Sequence, residues 1–251
     1  MDYPSPSADG ACLIVGAGDG LGAAIARAFA GEGLAVCVTR RPRHLEALEA
    51  LAASIRDGGG RAHAYGVDAR EEAEMTALVD RIEAEVGRLE VVVFNIGANV
   101  RFPVGETTTR VYSKVWEMAA LAGFLTGREA ARVMTPRARG TILFTGATAS
   151  VRGGAGFSAF AGAKAALRQL AQSMARELGP QGIHVAHVVI DGAVDGVFNR
   201  DRLGDKAMAE ALARDAVLKP DEVARNYVWL HRQGRSAWTH ELDLRPWTET
   251  W

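Results

Sequence analysis

A doubly wound α/β domain, with one seven-stranded, mostly parallel sheet and helices on both of its faces, is the fold class this sequence predicts. Three observations lead there. Short apolar runs alternate with helix-period segments along nearly the whole chain, the pattern of repeated strand–helix–strand units. The early runs are almost continuously apolar, as strands are when helices cover both sheet faces. A glycine-rich turn, Gly16-Ala17-Gly18-Asp19-Gly20-Leu21-Gly22, follows the first run directly. With 251 residues and 48% hydrophobic content the chain can bury a sizeable core, so 1–251 is read as one domain.

Met1 to Gly10 is polar and holds Pro4 and Pro6, which suits a loose N-terminal arm. Ala11 to Val15 is the first strand, and the first helix, Leu21 to Gly31, starts in the glycine turn. Leu34 to Val38, Arg61 to Gly66 and Glu90 to Phe94 read as the next strands, separated by helices at Arg43 to Asp57 and Glu71 to Val86. One long helix is expected over Thr109 to Met134, then a strand at Gly140 to Thr145, a helix at Ser158 to Leu178 and a strand at Ile183 to Ile190. Gly192 to Leu218 is the least strand-like part of the second half and is expected to be a short helical insertion forming a mobile substrate lid. The helix from Asp221 to Gln233 has a clear start signal: Pro220 precedes Asp221 and Glu222, and carboxylates in a first turn oppose the positive helix end. Glu241 to Leu244 is the last strand. Trp247 and Trp251 follow it and are expected to pack on this subunit or a neighbour.

The 29 basic and 30 acidic residues leave a net charge of −1 with the signs interspersed, so neither nucleic acid nor an anionic membrane is implied. A small-molecule partner fits better. Cys12 and Cys37 sit in apolar runs as small hydrophobes, and no metal-ligand spacing occurs, which suits a reduced, cytoplasmic protein. No basic leader followed by an apolar stretch stands at the N-terminus, and no apolar run has membrane length.

Glycines in the turn let the chain reverse tightly and bring backbone close to a pyrophosphate, while free amides at the helix start attract the anion. A dinucleotide site of Rossmann type is therefore expected at Gly16, Gly18, Asp19, Gly20, Leu21 and Gly22; a tight turn without a ligand is the bland alternative. Here the chain resembles the classical short-chain dehydrogenase/reductase family, whose signature is TGxxxGxG; Gly16, Gly20 and Gly22 match it, with Val15 in place of threonine. Asp68 resembles the family's adenine-site aspartate. Asn95-Ile96-Gly97 resembles its NNAG element, with Asn95 and Gly97 retained. Lys164 stands as in YxxxK, and Ile190-Asp191-Gly192 occupies the place of the PG turn, so the resemblance spans Ala11 to Leu244. At the end of the second strand, Arg40 and Arg41 suit a 2′-phosphate, which favours NADP(H) over NAD(H), although Asp19 stands where such enzymes often carry a basic residue.

The resemblance implies a catalytic tyrosine, serine, asparagine and lysine. Aligned on Lys164, the tyrosine position holds Phe160 and the serine position Ala147; aligned on Leu121-Ala122-Gly123, the asparagine position holds Ala120. No tyrosine occurs between Tyr112 and Tyr227. Positioned acid–base catalysis is typically worth about 10²–10⁴-fold, so the expectation is an atypical oxidoreductase with weakened or non-standard proton delivery. Asp191 and Asp195 are candidate substitute acids, with turn or cap roles as their plainer reading. Thr148, Ser150, Ser158 and Arg152 are further polar groups nearby. Two other functions stay open: a non-redox isomerase, cyclase or hydratase that keeps the cofactor, and a catalytically silent cofactor-binding partner. The resemblance also implies a homodimer or homotetramer through the helices at Thr109 to Met134 and Ser158 to Leu178; the stripe of Leu167, Leu170 and Met174 suits such packing or the subunit's own core.

Overall fold

The computed structural model describes residues 9–250. Seven strands form one sheet: β1 (Gly10–Val15), β2 (Ala35–Arg40), β3 (Arg61–Gly66), β4 (Arg88–Phe94), β5 (Gly140–Thr145), β6 (Ile183–Ile190) and β7 (Glu241–Leu244). Their order is β3-β2-β1-β4-β5-β6-β7, and every pairing is parallel. From β1 the chain winds outward to β3, then crosses back to lay β4 beside β1. The carboxyl ends of β1 and β4 thus flank the topological switch point, where open parallel sheets leave a crevice for ligands.

Helices α1 (Leu21–Gly31), α2 (Leu45–Asp57) and α9 (Pro220–His231) cover one face, where Ile25, Phe29, Leu48, Ile55, Val223 and Tyr227 join Ile14, Val36 and Val93 in one core. Helices α3 (Glu72–Glu85), α5 (Ala122–Met134) and α6 (Ser158–Leu178) cover the other, with Met75, Ile82, Leu125 and Leu167 packed on Leu13, Val92 and Phe144. Burial on both faces is the reason the central strands lack alternation. β3, at the edge, alternates exposed and buried positions at its start instead. Leu167 and Met174 are buried in this core, so these two stripe residues serve the subunit's own interior.

The structure departs from the sequence expectations at several places. β1 begins at Gly10, which is buried and pairs with Arg88, so the last residue of the expected arm belongs to the sheet; residues 1–8 of that arm lie outside the described residues. β2 runs on to Arg40, because a parallel partner in β3 continues its ladder as far as Gly66. The expected single helix over Thr109 to Met134 is interrupted: α4 (Thr109–Trp116) widens into a π turn at Glu117–Leu121 before α5. The segment after β6 carries two helices, α7 (Val197–Leu203) and α8 (Asp205–Ala213), and is pinned at its base by a parallel bridge between Val194 and Leu218. Trp247 is 79% exposed on this subunit, where its indole donates to the Arg214 carbonyl at 3.0 Å. Trp251 lies outside the described residues. Among the described residues no helix is long and apolar enough to cross a membrane.

Candidate active site

The glycine turn closes on backbone. Gly16 has φ +97° and donates its amide to the Thr39 carbonyl at 2.9 Å, while a Cβ there would lie 2.9 Å from the backbone carbon of Asn95. At Gly22 a Cβ would meet the Gly16 carbonyl oxygen at 2.6 Å and the Ala17 Cα at 2.7 Å. Both positions therefore demand glycine. Asn95 locks the turn from β4, its Nδ2 donating to the Gly16 carbonyl at 3.1 Å. Helix α1 has Gly20 at its cap, no side-chain cap and no acidic residue in its first turn, so its amino end is left to an anion. A turn of this geometry could hold an anionic group such as a pyrophosphate.

Two connected hollows open on this turn. The smaller, of about 220 Å³, is walled by Thr39, Arg40, Arg41, His44, Asp68 and Arg70. Burial and then the neighbouring Arg43 charge hold the Arg41 guanidinium below its ordinary pKa, and burial and then Arg40 do the same for the His44 imidazole. Positive charge is crowded here beyond what the local carboxylates neutralise. Asp68 is gripped by Arg70, with Nε 2.9 Å from Oδ1, and this hydrogen-bonded pairing holds its carboxyl below the usual range. Arg70 and His44 were not foreseen from sequence. Their only signal was nearness in the chain to Asp68 and Arg41, and the parallel pairing of β2 with β3 is what brings them together. Met118 of the π turn also reaches this hollow.

The larger hollow, of about 940 Å³, runs from Gly18, Asp19, Gly20 and Leu21 across Asn95 and Gly97 to the segment after β6. Lys164 forms part of its inner wall. The side chain is 1% exposed, and Nζ donates to the carbonyls of Ile96 and Thr145, each at 2.9 Å. Burial pulls its ammonium down to about 7. Phe160, one turn earlier on α6, is 7% exposed with its ring centroid 6.0 Å from that nitrogen. It packs with Val115, Ala119, Ala159 and Ala163, and Ala147 lies against the same cluster. Phe160 and Ala147 both line the hollow, and no tyrosine does. Ala120 is buried in the π turn and is not part of this wall.

The two candidate aspartates differ. Ile190 and Gly192 line the hollow, but the Asp191 side chain between them is fully buried. Thr148 donates to its Oδ1 at 2.6 Å, Arg152 lies 3.0 Å from the same oxygen, and Arg245 lies 3.4 Å from Oδ2. Asp191 is thus a tether between the β6 loop, the β5 loop and the C-terminal tail. Asp195 does line the hollow, held 2.8 Å from the Arg200 guanidinium of α7. Of the other polar groups, Ser150 donates to the Ala147 carbonyl at 2.5 Å and is spent on shaping the β5 loop.

Residues 11–205 match the family model described as short chain dehydrogenase. Among solved structures, a short-chain dehydrogenase from Rhodopseudomonas palustris is 47% identical, with a TM-score of 0.81 over 95% of this chain and 99% of that one. A short chain dehydrogenase from Burkholderia cenocepacia J2315, in complex with NADP, is 30% identical, with a TM-score of 0.82 over 95% of this chain and 97% of the other. The uncharacterized oxidoreductase YuxG of Bacillus subtilis is 30% identical over 86% of this chain, which spans 31% of that protein's length.

Proposed function

We propose that this chain, which belongs to the short-chain dehydrogenase family, is an NADP(H)-binding oxidoreductase for a small molecule whose proton delivery does not use the family's usual hydroxyl. The wall around Lys164 carries this reading: a nucleotide cradle with a lysine retained, facing Phe160 and Ala147 where a phenol and a hydroxyl would be expected. The 2′-phosphate preference rests on Arg40 and Arg41, joined by His44 and Arg70 around one hollow. The Burkholderia relative's complex with NADP is consistent with it.

Bound NADPH supplies hydride. What this chain supplies is position and exclusion of water. Gly16, Gly22 and Asn95 fix the turn, the amino end of α1 would take the pyrophosphate, and Lys164 in its ammonium form offers an N–H beyond the two it gives to carbonyls. Phe160 and Ala147 present only carbon to the substrate side. Substrates whose reduction leans less on an enzyme acid, such as imines and activated alkenes, fit this wall better than simple ketones. Self-association belongs to the same reading, as Tyr112, Trp116 and Phe124 stand exposed along α4 and α5.

The test is a calorimetric titration with NADPH and NADH, followed by NADPH oxidation against ketones, quinones, imines and activated alkenes. Tighter binding of NADPH and turnover on an imine or alkene are expected. Lack of affinity for both nucleotides would sink the reading.

A further inference from the structure

The chain contains four lysines, Lys114, Lys164, Lys206 and Lys219, among its 29 basic residues. Three are ordinary surface groups. Lys114 pairs with Glu117 at 2.8 Å, Lys219 pairs with Asp215 at 2.5 Å, and Lys206 lies exposed on α8. Lys164 is different in kind. It is 1% exposed, yet it lines the 940 Å³ hollow, and among the described residues no carboxylate pairs with it.

Its two partners are backbone carbonyls, Ile96 O and Thr145 O. A neutral amine has two N–H bonds and one lone pair. With both N–H bonds committed to carbonyls, the lone pair is the one position of the nitrogen left over, on a side chain that lines a cavity. Carbon makes up much of the cavity's wall, with the Phe160 ring 6.0 Å from the nitrogen and Ala147, Phe157 and Phe198 lining the same space, while Asn95, Thr148, Arg152 and Asp195 supply polar groups to that lining. A desolvated lysine in an apolar pocket is the type of amine that forms Schiff bases with carbonyl compounds.

We propose that Lys164 is an amine nucleophile that condenses reversibly with apolar or aryl aldehydes and ketones entering the hollow of the nucleotide-free protein. The Nζ lone pair attacks the carbonyl carbon and forms the C–N bond. Both protons of the amine pass to the carbonyl oxygen, which leaves as water. A C=N double bond remains, no electrons are gained or lost, and water reverses the reaction. Because burial pulls the ammonium down to about 7, a large share of the nucleophilic form is present at neutral pH. The inference goes beyond hydride transfer and does not depend on it.

The full chain is incubated at pH 7 with benzaldehyde and sodium cyanoborohydride, with and without NADP, and the benzylated residues are mapped by peptide mass spectrometry. Lys164 is expected to be modified roughly 10-fold or more ahead of Lys114, Lys206 and Lys219, because an ordinary lysine with a pKa near 10.4 is almost wholly protonated at this pH. The α-amino group serves as an internal reference. A Lys164→Arg variant, checked for folding by circular dichroism, should lose that label alone. Modification spread over the surface lysines and α-amine with Lys164 untouched would overturn the proposal. Protection by NADP is expected. Labelling of Lys164 that NADP leaves unchanged would still support the amine, and would count against the nucleotide site proposed above.

Discussion

Arg70 holds Asp68 with both arms of its guanidinium, Nε at 2.9 Å from Oδ1 and one terminal nitrogen at 2.5 Å from Oδ2. The other terminal nitrogen reaches Glu117 at 3.4 Å, where α4 passes into the π turn. One side chain therefore ties the end of the β3 connection to α4 and the π turn, and Arg40 and Arg41 line the hollow beside it.

Replacing Arg40 and Arg41 together by serine should weaken NADPH and spare NADH. Hydrogen bonds to charged groups are worth about 1.5–3 kcal/mol, roughly 10–100-fold in affinity. Calorimetric titration of both nucleotides into wild type and variant checks this. An equal loss for both would remove the assignment of these arginines to a 2′-phosphate.

Gly22→Ala should abolish nucleotide binding and lower stability by about 1–3 kcal/mol, the range for overpacking a tight site. The new methyl would lie against the Gly16 carbonyl and the Ala17 Cα, and neither backbone atom can rotate away. Urea unfolding and nucleotide titration on the same preparation separate the two effects. Full binding in this variant would mean that the turn is looser than its contacts imply.

Phe160→Tyr combined with Ala147→Ser should raise NADPH-dependent reduction of a carbonyl substrate by about 10²–10⁴-fold, the usual worth of positioned acid–base catalysis. Steady-state kinetics on the ketone panel reads this directly. If the double variant folds, binds NADPH and gains nothing, Phe160 does not occupy the proton donor's place.

Stability should fall in mild acid. Burial drives the His187 and His231 imidazoles down to about 4, with Glu241 and Glu90 respectively opposing that shift. In the unfolded chain both titrate near 6.5, so between about 6.5 and 4 the unfolded state binds more protons. Stability is then present above 6.5, is lost as pH falls through this window, and the loss is complete below about 4. Urea midpoints measured from pH 7 to 4 should drop in wild type and drop less steeply in His231→Gln, whose amide can still meet the Thr141 hydroxyl that now lies 3.0 Å from Nδ1. Parallel slopes would show that His231 is not the group responsible.

By itself the sequence determined the layered fold and the place of the tight glycine turn, because both follow from local patterns: apolar runs that demand burial on two faces, and glycines that only a close backbone approach requires. It also determined which atoms are lacking at Phe160 and Ala147, since no fold can add a hydroxyl to them. Tertiary structure alone decided how the remaining polar groups are used. Asp191 and Asp195 look equivalent as letters, yet one is sealed between Arg152 and Arg245 and the other lines the cavity. The widening at Glu117–Leu121 leaves no mark in helical periodicity, and Arg70 and His44 join Arg40 and Arg41 only through the pairing of β2 with β3. The sequence marks Lys164 by its place in YxxxK, but not its burial or its two carbonyl partners. Its lowered pKa comes from the water that the folded chain removes around it, and solvent exclusion is a property of the whole packed structure that no short stretch of residues encodes.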